Sequence, residues 1–355
     1  MVSLYDLFGA GCNGNVVWIP AGIMIRLREI RKGRNDAALG VCAGRMPKLH
    51  FDRWNAMKPF CATLAIETIR ERSRQAWDML ESCRLCPRAC GINRLKNEQG
   101  VCGIGATALV SSAFPHHGEE NCLRGVHGSG AIFFSGCNLN CIYCQNYTLS
   151  HLHEGDEATD ELIAVFMLQL QKMGCHNVNF VTPTHVVPQI LDAVAIAVEN
   201  GFQLPLVYNT GGYDSVEVLR LLEGIIDIYM PDFKYGDSTV AERFSQAGDY
   251  PEIARNAVKE MHRQVGDLVL DDHGIARRGL LIRHLVLPNN QAGTQEIMRF
   301  LAEKISPNTF VNIMGQYRPC WKANAVEEIN RPARVSEIQQ AREVALQSGL
   351  NRFDL

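Results

Sequence analysis

The sequence has 355 residues, 46% hydrophobic and 21% charged, with a formal net charge of −3. That balance is ordinary for a globular chain and supplies no basic face for a polyanion, so nucleic acid is not an expected partner. No stretch reaches the ~18–20 apolar residues that span a bilayer, and the apolar run 16–25 has no basic leader, so neither a membrane partner nor a secretory signal is expected.

Cysteine is over-represented: there are thirteen, an odd number, several at short spacings. This favours metal ligation in a reducing, cytoplasmic setting over long-range disulfides. Residues 1–60 show no sustained period, and Met24, Met46 and Met57 could each begin the chain, so the segment reads as a poorly ordered or mis-started extension. Its thiols Cys12, Cys42 and Cys61 have no partner spacing and read as inert.

A second segment, residues 61–128, begins with a helix expected over Ala62–Glu81. The helix leads into Cys83, Cys86 and Cys90, with Cys102 twelve positions later. Four thiols at such spacing read as a metal site, and the spacing suits zinc and an iron–sulfur cluster equally. Arg84, Arg88 and Arg94 either offset thiolate charge there or are simply solvated. His116-His117-Gly118-Glu119-Glu120, with Cys122 and His127, reads either as a polar loop or as the lining of a substrate mouth.

From residue 129 apolar runs alternate with helical stretches. Strands are expected at Ala131–Ser135, Asn177–Val181, Leu206–Asn209, Ile225–Met230, Leu280–Leu287 and Thr309–Met314. Helices are expected at Glu161–Lys172, Pro188–Glu199, Ser215–Leu222, Glu252–Val265, Thr294–Lys304 and Ser336–Ser348. The alternation implies an α/β fold, a partial (β/α)6 barrel over 129–323 with its chemistry at the C-terminal strand ends, followed by a helical segment 324–355.

The first of these strands runs straight into Ser135-Gly136-Cys137-Asn138-Leu139-Asn140-Cys141-Ile142-Tyr143-Cys144. Three thiolates on one short loop, with no fourth nearby, can hold a 4Fe–4S cubane and leave one iron open for a chelating substrate. Zinc would want four closed ligands.

The Cys-x3-Cys-x2-Cys spacing, with an aromatic residue before the last cysteine, resembles the loop of the radical S-adenosylmethionine (SAM) superfamily. From Cys83 to Ala323 the chain is similar to the activating enzymes of glycyl-radical enzymes, the pyruvate formate-lyase-activating-like subgroup. The resemblance implies that Cys137, Cys141 and Cys144 bind the cluster and that SAM chelates its open iron. An electron would then split SAM to a 5′-deoxyadenosyl radical that abstracts hydrogen from a substrate.

The same resemblance assigns SAM-binding positions. Tyr143 corresponds to the aromatic beside the adenine, and Asn146 to a residue contacting SAM. Tyr208-Asn209-Thr210-Gly211 resembles the activases' Thr-Asn-Gly segment, and Asp232-Phe233-Lys234 their Asp-x-Lys motif, where Lys234 would meet the SAM carboxylate. Arg283 corresponds to the arginine that clamps that carboxylate, and Gln316, with Tyr317, to groups near the adenine or ribose. One departure stands out. Where the family carries Gly-Gly-Glu for the SAM amino group, this chain reads Val181-Thr182-Pro183-Thr184-His185, which makes Thr182 and Thr184 the candidates.

The expected activity is therefore radical chemistry on a protein or peptide. Radical chemistry on a small metabolite is the alternative, and a purely electron-carrying iron–sulfur protein a further one. A flavodoxin or ferredoxin is the expected electron donor.

Overall fold

The computed structural model describes residues 58–354; the reading of residues 1–57 falls outside them. Among the described residues the strands are β1 (Ala108–His116), β2 (Ser129–Phe134), β3 (Asp156–Ala158), β4 (Val178–Val181), β5 (Leu206–Thr210), β6 (Ile228–Pro231), β7 (Val269–Leu270), β8 (Ala276–Leu285), β9 (Phe310–Met314) and β10 (Arg352–Phe353). The helices are α1 (Ile66–Asp78), α2 (Asn121–Arg124), α3 (Tyr147–Ser150), α4 (Asp160–Lys172), α5 (Val187–Glu199), α6 (Val216–Leu221), α7 (Ser238–Ser245), α8 (Tyr250–Val265), α9 (Thr294–Phe300) and α10 (Val335–Gln347).

The strands lie in the order β10-β9-β8-β6-β5-β4-β2-β1-β3, with β7 paired to β8. Along that order from β2 to β10 every neighbour is parallel, while β7 runs antiparallel to β8 and β1 antiparallel to both β2 and β3. All six expected strands are present and parallel, as expected of a partial barrel with helical crossovers. The long strand β1 was not expected: its run mixes Ser112, Pro115 and His116 with apolar residues, and a proline normally argues against an interior strand.

Both faces of the parallel sheet are apolar, as doubly covered strands must be. The outer face, including Phe180, Tyr208 and Tyr229, joins the large core shared with the helices. On this side Asp192 of α5 accepts from Ser73 Oγ (2.6 Å) and Trp77 Nε1 (2.7 Å), tying α1 to the barrel wall. The inner face has its own smaller core, in which Val207, Ile228, Met230, Leu281 and Phe310 are closed over by Cys122 and Leu123 of α2. This apolar floor confines polar chemistry to the strand ends above it.

Candidate functional site at the strand ends

Beyond β2 the chain turns at Gly136, whose φ of +84° suits glycine. A Cβ there would stand 2.5 Å from the Cys102 carbonyl oxygen, so the three-cysteine loop is pressed against the earlier cysteine segment. The loop is pinned on its other side, with Ile142 N donating to Phe244 O (2.9 Å) and Lys322 N to Ile142 O (2.9 Å). Leu139 N approaches Cys137 Sγ (3.4 Å), Ser245 Oγ donates to Cys141 Sγ (2.9 Å), and Cys144 Sγ lies 3.5 Å from Ser150 Oγ. Burial, and then the nearby Cys141 sulfur, pushes the Cys137 and Cys144 thiols up, while Lys234 works the other way.

Lys234 Nζ sits 2.6 Å from Asp232 Oδ2, both partly buried at the end of β6. Burial opposes the lysine charge, but Asp232, with Cys141 and Tyr250, outweighs it and holds the ammonium above its ordinary range. The structure thus brings the Asp-x-Lys pair and the cysteine loop into one neighbourhood. The pair is also braced by Tyr250, whose hydroxyl donates to Asp232 O (2.9 Å) and accepts from Lys234 N (3.0 Å).

Other expected residues have different tasks. Arg283 does not present a free fork: its Nε and Nη2 donate to Glu120 at 2.6 and 2.8 Å, Nη2 also to Glu119, and Nη1 reaches Asn209 Oδ1 at 3.4 Å. Asn312 Nδ2 adds a 2.8 Å bond to Glu120. Burial works against the Glu120 charge, and Arg283 more than offsets it, leaving the carboxyl below its usual range. Glu119 and Glu120 are therefore tied to the inner wall, while His117 and Gly118 of the same stretch are exposed.

Thr184 and Thr210 are likewise committed. Both donate to the buried Asp214 carboxylate, at 2.8 and 2.7 Å, and Tyr208 OH joins them at 3.1 Å. Asp214 was missed from the sequence because nothing local marks it for burial. Thr182 differs: it has φ +60°, a genuine outlier for a β-branched residue, and its N–H donates to Asn209 O (2.9 Å).

Tyr143 is buried among Tyr235 and Tyr317, with ring centroids at 6.3 and 5.9 Å, so it packs beneath the loop. Tyr317 OH donates to Ile329 O (2.6 Å). Asn146 and Gln316 are exposed. His185 is buried and bonded to Ser135 O (2.8 Å), with burial lowering its pKa to about 3. Cys320 is half-buried, and Cys61 lies fully in the core.

The four earlier thiols line one cavity together with Arg94 and His185. Arg88, from the same segment, donates to Asn138 O (2.9 Å) and Ser245 O (3.1 Å), and Asn138 Nδ2 donates to Tyr213 O (2.7 Å). Burial pushes Cys86 up to about 12, with a hydrogen bond from the Asn138 side chain acting against it.

A family model described as the radical SAM superfamily matches residues 131–303. An uncharacterized protein of Methanocaldococcus jannaschii is 32% identical over 314 residues, covering 84% of this chain and 84% of its own length. A second uncharacterized protein of that organism is 22% identical over 291 residues, covering 76% of this chain and 78% of its own. Among solved structures, a radical SAM methyltransferase from Sphaerobacter thermophilus aligns with TM-score 0.41 and 12% identity over 82% of this chain and 94% of that one. HydG, a maturase of the FeFe-hydrogenase, aligns with TM-score 0.45 and 13% identity over 82% of this chain and 64% of that one.

Proposed function

Since this chain belongs to the radical SAM superfamily, we propose that it cleaves SAM reductively at the Cys137–Cys144 loop and abstracts hydrogen from a protein or peptide. Membership implies a 4Fe–4S cluster and SAM as cofactors. The donor set fits the cluster: three sulfurs on one loop beside a lysine–aspartate pair, with no fourth cysteine in the loop. In a cubane each thiolate takes a separate iron.

Bound there, the cofactors supply the electron transfer that splits SAM into methionine and a 5′-deoxyadenosyl radical. Lys234, steadied by Asp232, would hold the SAM carboxylate. The strained Thr182 turn offers backbone oxygen to the amino group in place of Gly-Gly-Glu, while Thr184 and Thr210 fix that turn through Asp214. Exposed Asn146 and Gln316 remain for the adenosyl moiety, and Arg283 orders the inner wall with Asn209.

The meeting of the three-thiol loop with the Lys234–Asp232 pair carries this reading. The peptide reading comes from the resemblance of Asn209-Thr210-Gly211 and Asp232-Phe233-Lys234 to the activase segments. Asn179 on β4, fully buried with neither amide atom partnered, lies below the strand ends and meets no substrate. The small-metabolite reading is favoured by the Glu119–Glu120–Arg283 bridge, which sets buried charged groups against the inner wall.

After anaerobic reconstitution and reduction by a flavodoxin- or ferredoxin-class donor, 5′-deoxyadenosine should form slowly alone and faster with a protein substrate. Stimulation by a protein-free metabolite fraction would select the second reading. Absence of 5′-deoxyadenosine under all conditions would remove both.

A further inference from the structure

After α1 the chain folds tightly on itself: Cys83 N donates to Ile92 O (2.8 Å), Gly91 N to Cys83 O (3.0 Å), and Ala89 N to Cys86 O (3.0 Å). This loop carries three thiols. The fourth arrives because Gly100 lies against Cys90, where a Cβ would stand 2.8 Å from the sulfur, and Gly103 N then donates back to Gly100 O (3.0 Å). Cys83, Cys86, Cys90 and Cys102 consequently line one cavity.

Two further observations concern the cavity wall. Arg94 is only 1% exposed, and its guanidinium donates solely to neutral carbonyls, Gly105 O at 3.0 and 2.8 Å and His185 O at 2.9 Å. Among the described residues no carboxylate pairs with it, and a buried cation without an anion is destabilising. The second is His185, also 1% exposed: Nε2 is used by Ser135 O, and Nδ1 has no partner. The buried cation marks the cavity for an anionic occupant, whereas the free Nδ1 of His185, whose Nε2–H donates to Ser135 O, is an acceptor that calls for a donor.

We propose that the four thiolates hold a second 4Fe–4S cluster, separate from the one that binds SAM. Four thiolates around an iron–sulfur core leave a net negative group, which supplies the anion that Arg94 lacks. Zinc would draw four sulfurs to ~2.3 Å from one point, whereas a cubane spreads them over four irons. With a cysteine on every iron, this cluster has no open corner for SAM. It stands against the first loop through Arg88, Asn138 and the contact of Gly136 with Cys102, so it also braces the SAM-binding cysteines.

The inference goes beyond the proposed activity, because its readout is metal content and needs no SAM cleavage. The whole chain, purified and reconstituted anaerobically, should carry about eight irons. In the Cys137→Ala/Cys141→Ala/Cys144→Ala variant about four should remain, with an absorption spectrum that SAM does not change. About one zinc and no iron in that variant would overturn the cubane, and no metal at all would overturn the site. If that variant does not fold, Cys86→Ser/Cys102→Ser gives the complementary measurement: iron should fall to about four with a SAM-responsive cluster. Unchanged iron in that variant, or only about four in the native chain, would also overturn the proposal.

Discussion

Arg283 and Glu120, distant in sequence, are joined by two hydrogen bonds of 2.6 and 2.8 Å across the inner wall of the barrel. The arrangement is a fork on a carboxylate, as expected for this arginine, but the carboxylate belongs to the protein. Removing one partner of such a buried pair typically costs ~3–5 kcal/mol. Arg283→Lys, which keeps the charge and loses the fork, should therefore lower the unfolding midpoint clearly while leaving the Kd for SAM near that of the native chain. A large rise in Kd with unchanged stability would return Arg283 to the role of SAM clamp.

Cys137→Ala, Cys141→Ala and Cys144→Ala should each abolish SAM cleavage, since each removes one cluster thiolate. The measurement is 5′-deoxyadenosine per chain after reduction. A normal yield from any one of them would contradict the assignment of that cysteine.

Lys234→Ala should weaken SAM binding without altering iron content or the cluster spectrum. Loss of one charge-assisted hydrogen bond is worth about 1.5–3 kcal/mol, roughly ten- to a hundredfold in Kd. An unchanged Kd would leave Lys234 as the structural partner of Asp232 alone.

The Asp232/Lys234 pair and the cysteine loop were legible because their geometry is local: an i, i+2 pair shares one face of a strand, and three thiols share one loop. The parallel strands were legible because burial on both faces leaves continuous apolar runs. Asp214 and Asn179 were not, since each is polar in sequence and becomes informative only through burial that distant segments impose; for Arg94, burial beside the thiols selects between the two readings its position allowed. The positive φ of Thr182 was hidden for a related reason: threonine disfavours it, so surrounding bonds such as that from Thr182 N to Asn209 O must enforce it. Among the described residues no helix is long and apolar enough to cross a membrane.

His284, behind the Asp232–Lys234 segment, provides a pH-dependent prediction. It is fully buried, with Nδ1 bonded to Phe233 O and Nε2 to Thr294 Oγ1, each at 2.9 Å, and burial lowers its pKa to about 4. A histidine whose folded pKa lies below its unfolded value contributes stability that is complete above about pH 6.5 and is lost as pH falls towards 4. Relative to His284→Gln, the native chain should lose on the order of 3 kcal/mol across that interval. Denaturant unfolding at several pH values measures the difference, and parallel curves for the two proteins would refute it.

Gly136 and Gly174 share a φ of +84°, yet only the first is crowded. A Cβ on Gly136 would stand 2.5 Å from the Cys102 carbonyl oxygen and 2.7 Å from Ile104 Cγ1, whereas one on Gly174 meets nothing within 4 Å. Placing alanine at either position incurs the same left-handed backbone penalty, roughly 1–2 kcal/mol. Only at Gly136 must the two cysteine segments also move apart, because the nearest obstacle is backbone that no rotamer change relieves. Gly174→Ala should therefore reduce stability by that penalty alone and keep its full iron content. Gly136→Ala should lose iron from both cysteine loops together after anaerobic reconstitution. If Gly136→Ala retains native iron, or loses it from the Cys137–Cys144 loop alone, the two loops are not mechanically joined at this contact.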